Sequence, residues 1–263
     1  MHPNSVKHIS DLIRNVLNRG VRWGLVCRNV ALCIDNDDLP KATRPESQVL
    51  NRSQLWRLLT EADCPSTRSK KRGYLSATPA FYPAVAFLAL TGARRGEALA
   101  VKWSCVDFDD ATVTIKESLG QTKAEGLFLK RPKNDKSRVL CMPAKLVEIL
   151  RVHKARQAAE KLALGDQYQN LGFVFASPDG SPMKPWNFGA SFADLVRRAG
   201  VPRIRLHDLR DTHASLLAQA GVPIEVVSKR LGHSGIAITV DRYVSVYRDR
   251  DAAAASTFDR LTG

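Results

Sequence analysis

His207-Asp-Leu-Arg210, then Leu231-Gly-His233, then Tyr243: the last quarter of the chain places two imidazoles, a guanidinium and a phenol on segments with helical patterning. His207 and Arg210 stand three residues apart, so a helix over 207–219 presents them on one face, with His213 a further turn along it. Asp208 is placed to cap or orient this helix, and Leu209 points to the core. A second helix over 223–231 ends at Gly232, the residue type favoured just past a helix C-terminus. A third pattern covers 236–246 and carries Tyr243, ten residues after His233.

Working outward, helical spacing also covers 144–163 and 185–199. Before those lie three short strand candidates, Thr112–Ile115, Leu127–Leu129 and Arg138–Cys141, joined by loops with Gly and Asn-Asp. Further upstream, Ala80–Leu90 and Gly96–Val101 read as helices separated by a break at Thr91-Gly92. Asn51 or Ser53 is a plausible cap for the helix that follows Val49, and the polar, basic residues 65–78 read as a loop. The predicted fold is mainly α with a small antiparallel β-sheet (α+β). At the front, Val6, Ile9, Leu12, Ile13, Val16 and Leu17 recur at helical spacing and predict a helix over Val6–Leu25 with a buried face. The polar run Asp35-Asn-Asp-Asp-Leu-Pro40 and Arg44-Pro45 marks a linker. The expected organisation is a helical piece over 1–34, a linker over 35–47 and a main domain over 48–263, since forty-odd residues rarely make an independent core.

Forty Lys plus Arg against 26 Asp plus Glu leave the 263-residue chain at +14. Such an excess favours a polyanionic partner, because neutralised phosphates release counterions. The five cysteines (Cys27, Cys33, Cys64, Cys105 and Cys141) are odd in number, scattered and without a CxxC pair, so neither a zinc ribbon nor a disulfide framework is indicated. The compartment read from this is reducing. The N-terminus shows no apolar signal core, and the apolar run Ala84–Leu90 is too short to span a bilayer, which leaves no membrane partner expected.

Chemistry concentrates in a few places. Thr91-Gly-Ala-Arg94-Arg95-Gly-Glu97 holds a guanidinium between two glycines, and its planar fork of donors suits the paired oxygens of a phosphate. The same residues also fit a plain helix corner with an i,i+3 Arg–Glu pair. Lys133 sits in Arg131-Pro-Lys133-Asn-Asp-Lys136-Ser-Arg138 between two strand candidates, either as part of a solvated hairpin or carried by one into a groove. A metal site would use His207, His213 and His233, but no acidic ligand recurs at suitable spacing, so no metal or other cofactor is expected. A phenol near cations, with no acidic metal cluster beside it, points to attack on a phosphodiester by tyrosine itself.

Together these pieces resemble the tyrosine recombinases of the phage integrase family. The family's first arginine box resembles Thr91-Gly-Ala-Arg94-Arg-Gly-Glu97, its hairpin lysine Lys133, and its His-x-x-Arg box His207-Asp-Leu-Arg210. Its Leu-Gly-His box is similar to Leu231-Gly-His233, and its nucleophile box to Ala237-Ile-Thr-Val-Asp-Arg-Tyr243. The five boxes fall in the family's order between Asn51 and Tyr247. The resemblance implies site-specific cutting and rejoining of double-stranded DNA through a 3′-phosphotyrosine, without metal or ATP. In it Tyr243 attacks, while Arg94, Arg210 and His233 hold the non-bridging oxygens. Lys133 protonates the departing 5′ oxygen, His207 assists proton movement and Glu97 supports Arg94. Tyr247 competes with Tyr243, and Lys136 stands next to Lys133 for the acid role. Where the family often has a second histidine after the box arginine, this chain has Asp211, an acid near the expected phosphate.

The segment from Ser5-Val-Lys-His-Ile through Trp23 to Asn29 is similar to the final helices of the family's core-binding domain, so residues 1–34 are expected to be a remnant of that domain. The resemblance also implies self-association on DNA as a tetrameric synapse, with accessory DNA-bending proteins left open, and a cytoplasmic, nucleoid-associated setting in a prokaryote or its phage. In such a synapse the Ala-rich tail Asp251–Leu261, with Phe258 and Leu261 as an apolar pair, would dock on a neighbouring subunit. Two other readings remain open: DNA relaxation of the type IB topoisomerase kind, and a non-catalytic DNA-binding regulator.

Overall fold

The computed structural model describes residues 2–35, 37, 39–40, 48–64, 78–131, 137–233, 235–237, 239–240 and 258–261. The chain forms two compact units, Met1–Ser47 and Gln48–Gly263.

In the first unit, helix α1 (Pro3–Arg22) starts with a proline in its first turn and ends with Arg19 and Arg22 in its last, where their charge complements the helix dipole. A 3-10 turn at Val30–Cys33 is fastened to it by side chains. Asn29 donates to Arg14 O at 2.9 Å and to Asn18 Oδ1 at 2.8 Å, and Arg14 Nε donates to Ala31 O at 3.1 Å. The helix forms as the periodicity predicts, but the face expected to be buried is not: Ile9, Leu12, Ile13 and Val16 are all exposed. The reason is arithmetic, since one 3-10 turn cannot cover a five-turn apolar stripe.

In the second unit the helices are α2 (Arg52–Asp63), α3 (Phe81–Thr91), α4 (Arg95–Leu99), α5 (Ala144–Leu164), α6 (Pro185–Ala199), α7 (Leu206–Gln219) and α8 (Ile224–Leu231). Asn51 caps α2 through a reciprocal bond pair with Gln54. Apolar nearly all round, α3 is the core element: Phe81, Val85, Phe87 and Leu88 are buried, and α2, α5 and α7 pack around it. Phe81 meets Phe188 of α6 and Phe87 meets Phe175, each pair with ring centroids 5.4 Å apart. Gly92 ends α3 with φ of +68°, and a Cβ there would lie 2.8 Å from both His213 and Leu231. The break between α3 and α4 thus needs glycine twice over, for its torsion and for the close approach of α7 and α8.

Five strands follow α4: β1 (Val106–Asp107), β2 (Thr112–Ile115), β3 (Ser118–Thr122), β4 (Gly126–Lys130) and β5 (Arg138–Cys141). They form two antiparallel sheets, β1-β2-β5 and β3-β4, in place of the single sheet expected. Ile115 pairs with Arg138 and Ser118 with Lys130, so β2–β3 and β4–β5 run side by side with an interruption. Strands β4 and β5, on either side of the lysine-rich segment, pair with β3 and β2 and not with each other. Lys133 and Lys136 themselves lie outside the described residues, as do residues 65–77.

The core makes a direct forecast. Phe87→Ala removes a fully buried ring from the centre of α3 and should lower the unfolding free energy by about 3–5 kcal/mol. Leu162→Ala, on the exposed side of α5, should stay within about 0.5 kcal/mol of the parent. Urea titration checks both, and equal losses would place the core elsewhere.

Candidate active site

Arg94 is the N-cap residue of α4, and the structure ties it down at three points. Its backbone N–H donates to Glu97 Oε2 at 2.8 Å, its Nη1 to Glu97 Oε1 at 2.8 Å, and its Nη2 to Gly232 O at 3.3 Å. The guanidinium is still 45% exposed, so it remains accessible. Glu97 is only 4% exposed. Its second partner is Arg138, the first residue of β5, whose Nη1 and Nη2 donate to its two oxygens at 3.0 and 2.6 Å. Burial pushes the Glu97 carboxyl upward, but the bonds and charge of Arg138, with Arg94 behind them, bring it down to about 2.

Helix α7 supplies the second arginine. Asp208 accepts from the Arg205 backbone N–H at 2.7 Å and closes the first turn, so its capping role is as predicted. Leu209 is buried in the core, and Arg210 is 2% exposed with Nη1 donating to Gly92 O at 2.8 Å. His207 is exposed at the start of the same face. Arg94, His207 and Arg210 line one cleft of about 550 Å³, joined by Arg95, Arg203 and Arg205. A concavity with this many guanidinium groups is matched to an anion. Asp211 is fully buried and is not among the residues lining the cleft.

His213 is buried, in contrast to His207, and serves the scaffold. Its Nδ1 bonds Ala89 O at 3.0 Å and its Nε2 accepts from Arg230 Nε at 3.0 Å. Burial first, and then the Arg230 charge, lower its pKa to about 4, so it is neutral at physiological pH. Arg230 also donates to Leu90 O at 3.2 Å and Cys141 O at 3.1 Å, which joins α8 to the end of α3 and the end of β5. One residue past α8, Gly232 adopts φ of +68°. His233 follows, and its Nδ1 shares a 2.6 Å hydrogen bond with the hydroxyl of Thr239, a fully buried side chain.

The structure therefore gathers Arg94, Glu97, His207, Arg210 and the Gly232–His233 turn. Tyr243 and Tyr247 lie outside the described residues, with Lys133. Sequence reasoning missed Arg138, Arg230 and Thr239. Each acts on a residue far along the chain or on a side chain whose orientation only the fold sets, so spacing gave no signal for them. Among the described residues no group of three or more His, Cys, Asp or Glu side chains is arranged to hold a metal ion. Nor is any described helix long and apolar enough to cross a membrane.

Acid should dismantle this site in two stages. Both His213 and Glu97 have folded pKa values below their ordinary 6.5 and 4.5, at about 4 and about 2. Each therefore contributes stability that is complete above the ordinary value and lost as pH falls through the folded one. Unfolding free energy should decline from pH 6.5 to 4 and again from 4.5 to 2, the second stage being on the order of 3 kcal/mol. Glu97→Gln should abolish the second stage only. Urea titrations at stepped pH read this, and an unchanged low-pH decline in the Gln variant would mean the carboxylate is not held as described.

Residues 48–250 match the phage integrase family. A XerC-like tyrosine recombinase of Caldanaerobacter subterraneus subsp. tengcongensis is 33% identical over 183 residues, 65% of this chain and 47% of that protein. The ICEBs1 integrase of Bacillus subtilis is 31% identical over 179 residues, 67% of this chain and 47% of its own length. The chain spans about half the length of these curated relatives. Among solved structures, the Tn1549 transposon integrase in complex with transposon right end DNA gives a TM-score of 0.77 at 17% identity, covering 100% of this chain and 81% of that one. XerA recombinase gives 0.60 at 21% identity, covering 96% and 83%. These likenesses confirm the mainly helical fold with small antiparallel sheets, and the relatives favour neither the topoisomerase nor the regulator reading. With its arginine and histidine boxes lining one basic cleft, Gly232 of its Leu-Gly-His box bonded to Arg94, and the match running from residue 48 to residue 250, this chain belongs to the phage integrase family.

Proposed function

We propose that this chain is the strand-transfer part of a site-specific DNA recombinase or integrase, acting through a 3′-phosphotyrosine. The observation that carries the reading is the single cleft lined by Arg94, His207 and Arg210, with the Gly232–His233 turn held against Arg94. A phosphodiester under attack gains negative charge on its non-bridging oxygens, and donors already fixed there stabilise the transition state without reorganising. Arg94 and Arg210 supply forked donors and His233 a further one. Tyr243 attacks phosphorus, its proton moving with the help of His207, and the 5′ oxygen leaves with a proton from Lys133. The phosphodiester's energy is kept in the tyrosyl bond, so rejoining needs no ATP, and the arginines provide the charge that metal ions supply in many nucleases.

The wider setting is proposed on the same footing. Residues 1–34 are the end of a core-binding domain and 35–47 a linker to the catalytic domain. The protein acts in the cytoplasm on double-stranded DNA and assembles as a tetramer there. The described tail residues 258–261 are helical, with Phe258 and Leu261 exposed, and they suit docking on a neighbouring subunit.

A nicked duplex whose cleaved end diffuses away should trap a denaturation-resistant protein–DNA adduct. Tyr243→Phe should abolish it and leave non-covalent binding within about twofold, since a phenol oxygen that touches only the reacting phosphorus contributes nothing to ground-state binding. An adduct that persists in the Phe variant, or maps to Tyr247, sinks the assignment. Lys133→Ala should regain cleavage on a 5′-phosphorothiolate substrate, whose sulfur leaves without a proton. No recovery moves the acid role to Lys136.

A further inference from the structure

We propose that Arg138 is a positioning residue for strand transfer, acting through Glu97 and Gly232 to hold Arg94 and His233 in register. Three contacts converge on its side chain. Its fork donates to both oxygens of Glu97. The same carboxylate holds the backbone and guanidinium of Arg94, so Arg138 and Arg94 are coupled through one buried group. On its other side, Arg138 packs against Gly232, where a Cβ would fall 3.0 Å from its guanidinium carbon and Nη1. Gly232 O in turn accepts from Arg94 Nη2 at 3.3 Å, which closes a ring of contacts from β5 to α4 to the end of α8.

The chemistry explains why an arginine is needed there. Arg94 is half-exposed and flexible in principle, and a lone Arg–Glu pair at i,i+3 would let both side chains swing. With Arg138 on the same carboxylate, Glu97 has a fixed orientation, and its remaining lone pairs point at Arg94. The guanidinium of Arg138 is mostly buried, and its Nε makes no hydrogen bond among the described residues. A buried donor left unsatisfied is costly, and it is retained here while the rest of the group serves Glu97 and Gly232. Lysine would keep the charge but lose the fork and the flat surface that Gly232 lies on.

The kinetic arm of the test rests on the strand-transfer reading above, and the hydrogen-exchange arm does not. Arg138→Lys should slow adduct formation at saturating protein by about tenfold or more, with duplex affinity within about threefold of the parent. Arg138→Met strands a buried carboxylate and can unfold the protein, so it is paired with Glu97→Gln, which removes that charge. The double variant should fold with a near-parent melting midpoint and still cleave slowly. In a cycle with Arg94→Lys, the Arg138→Lys loss should shrink to about twofold or less, because both changes damage one arrangement. Full multiplication of the two losses, or parent-like cleavage by the stable double variant, overturns the proposal.

Hydrogen exchange on the same proteins reads the geometry directly. The amides of Gly232 and His233 bond Ser228 O at 3.0 and 3.2 Å. In the Arg138→Lys and double variants they should exchange at least about tenfold faster than in the parent, while those in the middle of α5 keep their protection. Unchanged exchange at Gly232–His233 overturns the positioning role even if cleavage is slow. If the parent forms no adduct on any duplex, the strand-transfer reading falls by itself, and exchange alone decides the role of Arg138.

Discussion

A single buried carboxylate holds the cleft face of this domain together. Alone at 4% exposure, the charge of Glu97 would cost several kcal/mol to desolvate. Two guanidinium groups and one backbone N–H compensate it. Those donors come from β5 and from the first turn of α4, so the carboxylate can be satisfied only when the sheet has docked on the helix. Satisfying Glu97 and orienting Arg94 are therefore one event. The cleft is built by the same interaction that makes the local fold electrostatically tolerable, and this is why a stabilising pair and a site residue share a five-residue helix.

Strand β5 extends this logic. At its start Arg138 lies against Gly232, and at its end Cys141 O accepts from Arg230. Both contacts fall within three residues at the close of α8, so the strand braces the Leu-Gly-His turn from two sides. Arg230 also meets the neutral His213, which accepts at Nε2 and so must carry its proton on Nδ1, facing Ala89 O. A protonated His213 would oppose Arg230 across 3.0 Å. The low pKa of the imidazole and the seating of α8 on α7 are consequences of the same burial.

Most helices were legible because their signals are local. Asn51 with Gln54, Pro185 at a first turn and Gly200 and Gly232 at C-termini are encoded within a few residues of the ends they set. Strand β3 was missed because Ser118-Leu-Gly-Gln-Thr122 has little β-branched or alternating character, and what makes it a strand is Phe128 of β4 lying over Gly120. In the site, the boxes bearing Arg94, His207, Arg210 and His233 could be read from their order. Arg138 could not, because its partner Glu97 is 41 residues away and only the fold reveals which arginine reaches it.

The two arginines of the cleft differ in environment. Arg210 is 2% exposed and braced by Gly92 O, on a helix packed against α3, so its position is set by the core. Arg94 is 45% exposed and set by a polar network at the surface. A core-set arginine presents the same charge to the cleft whatever occupies it, which favours transition-state stabilisation by a group that need not move. Arg94 reaches a fixed orientation by another route, a buried carboxylate and a backbone carbonyl that hold its fork from two sides. On the proposed strand-transfer reading, a core-set and a network-set donor on one cleft both meet the phosphorus centre already oriented, on cutting and again on rejoining.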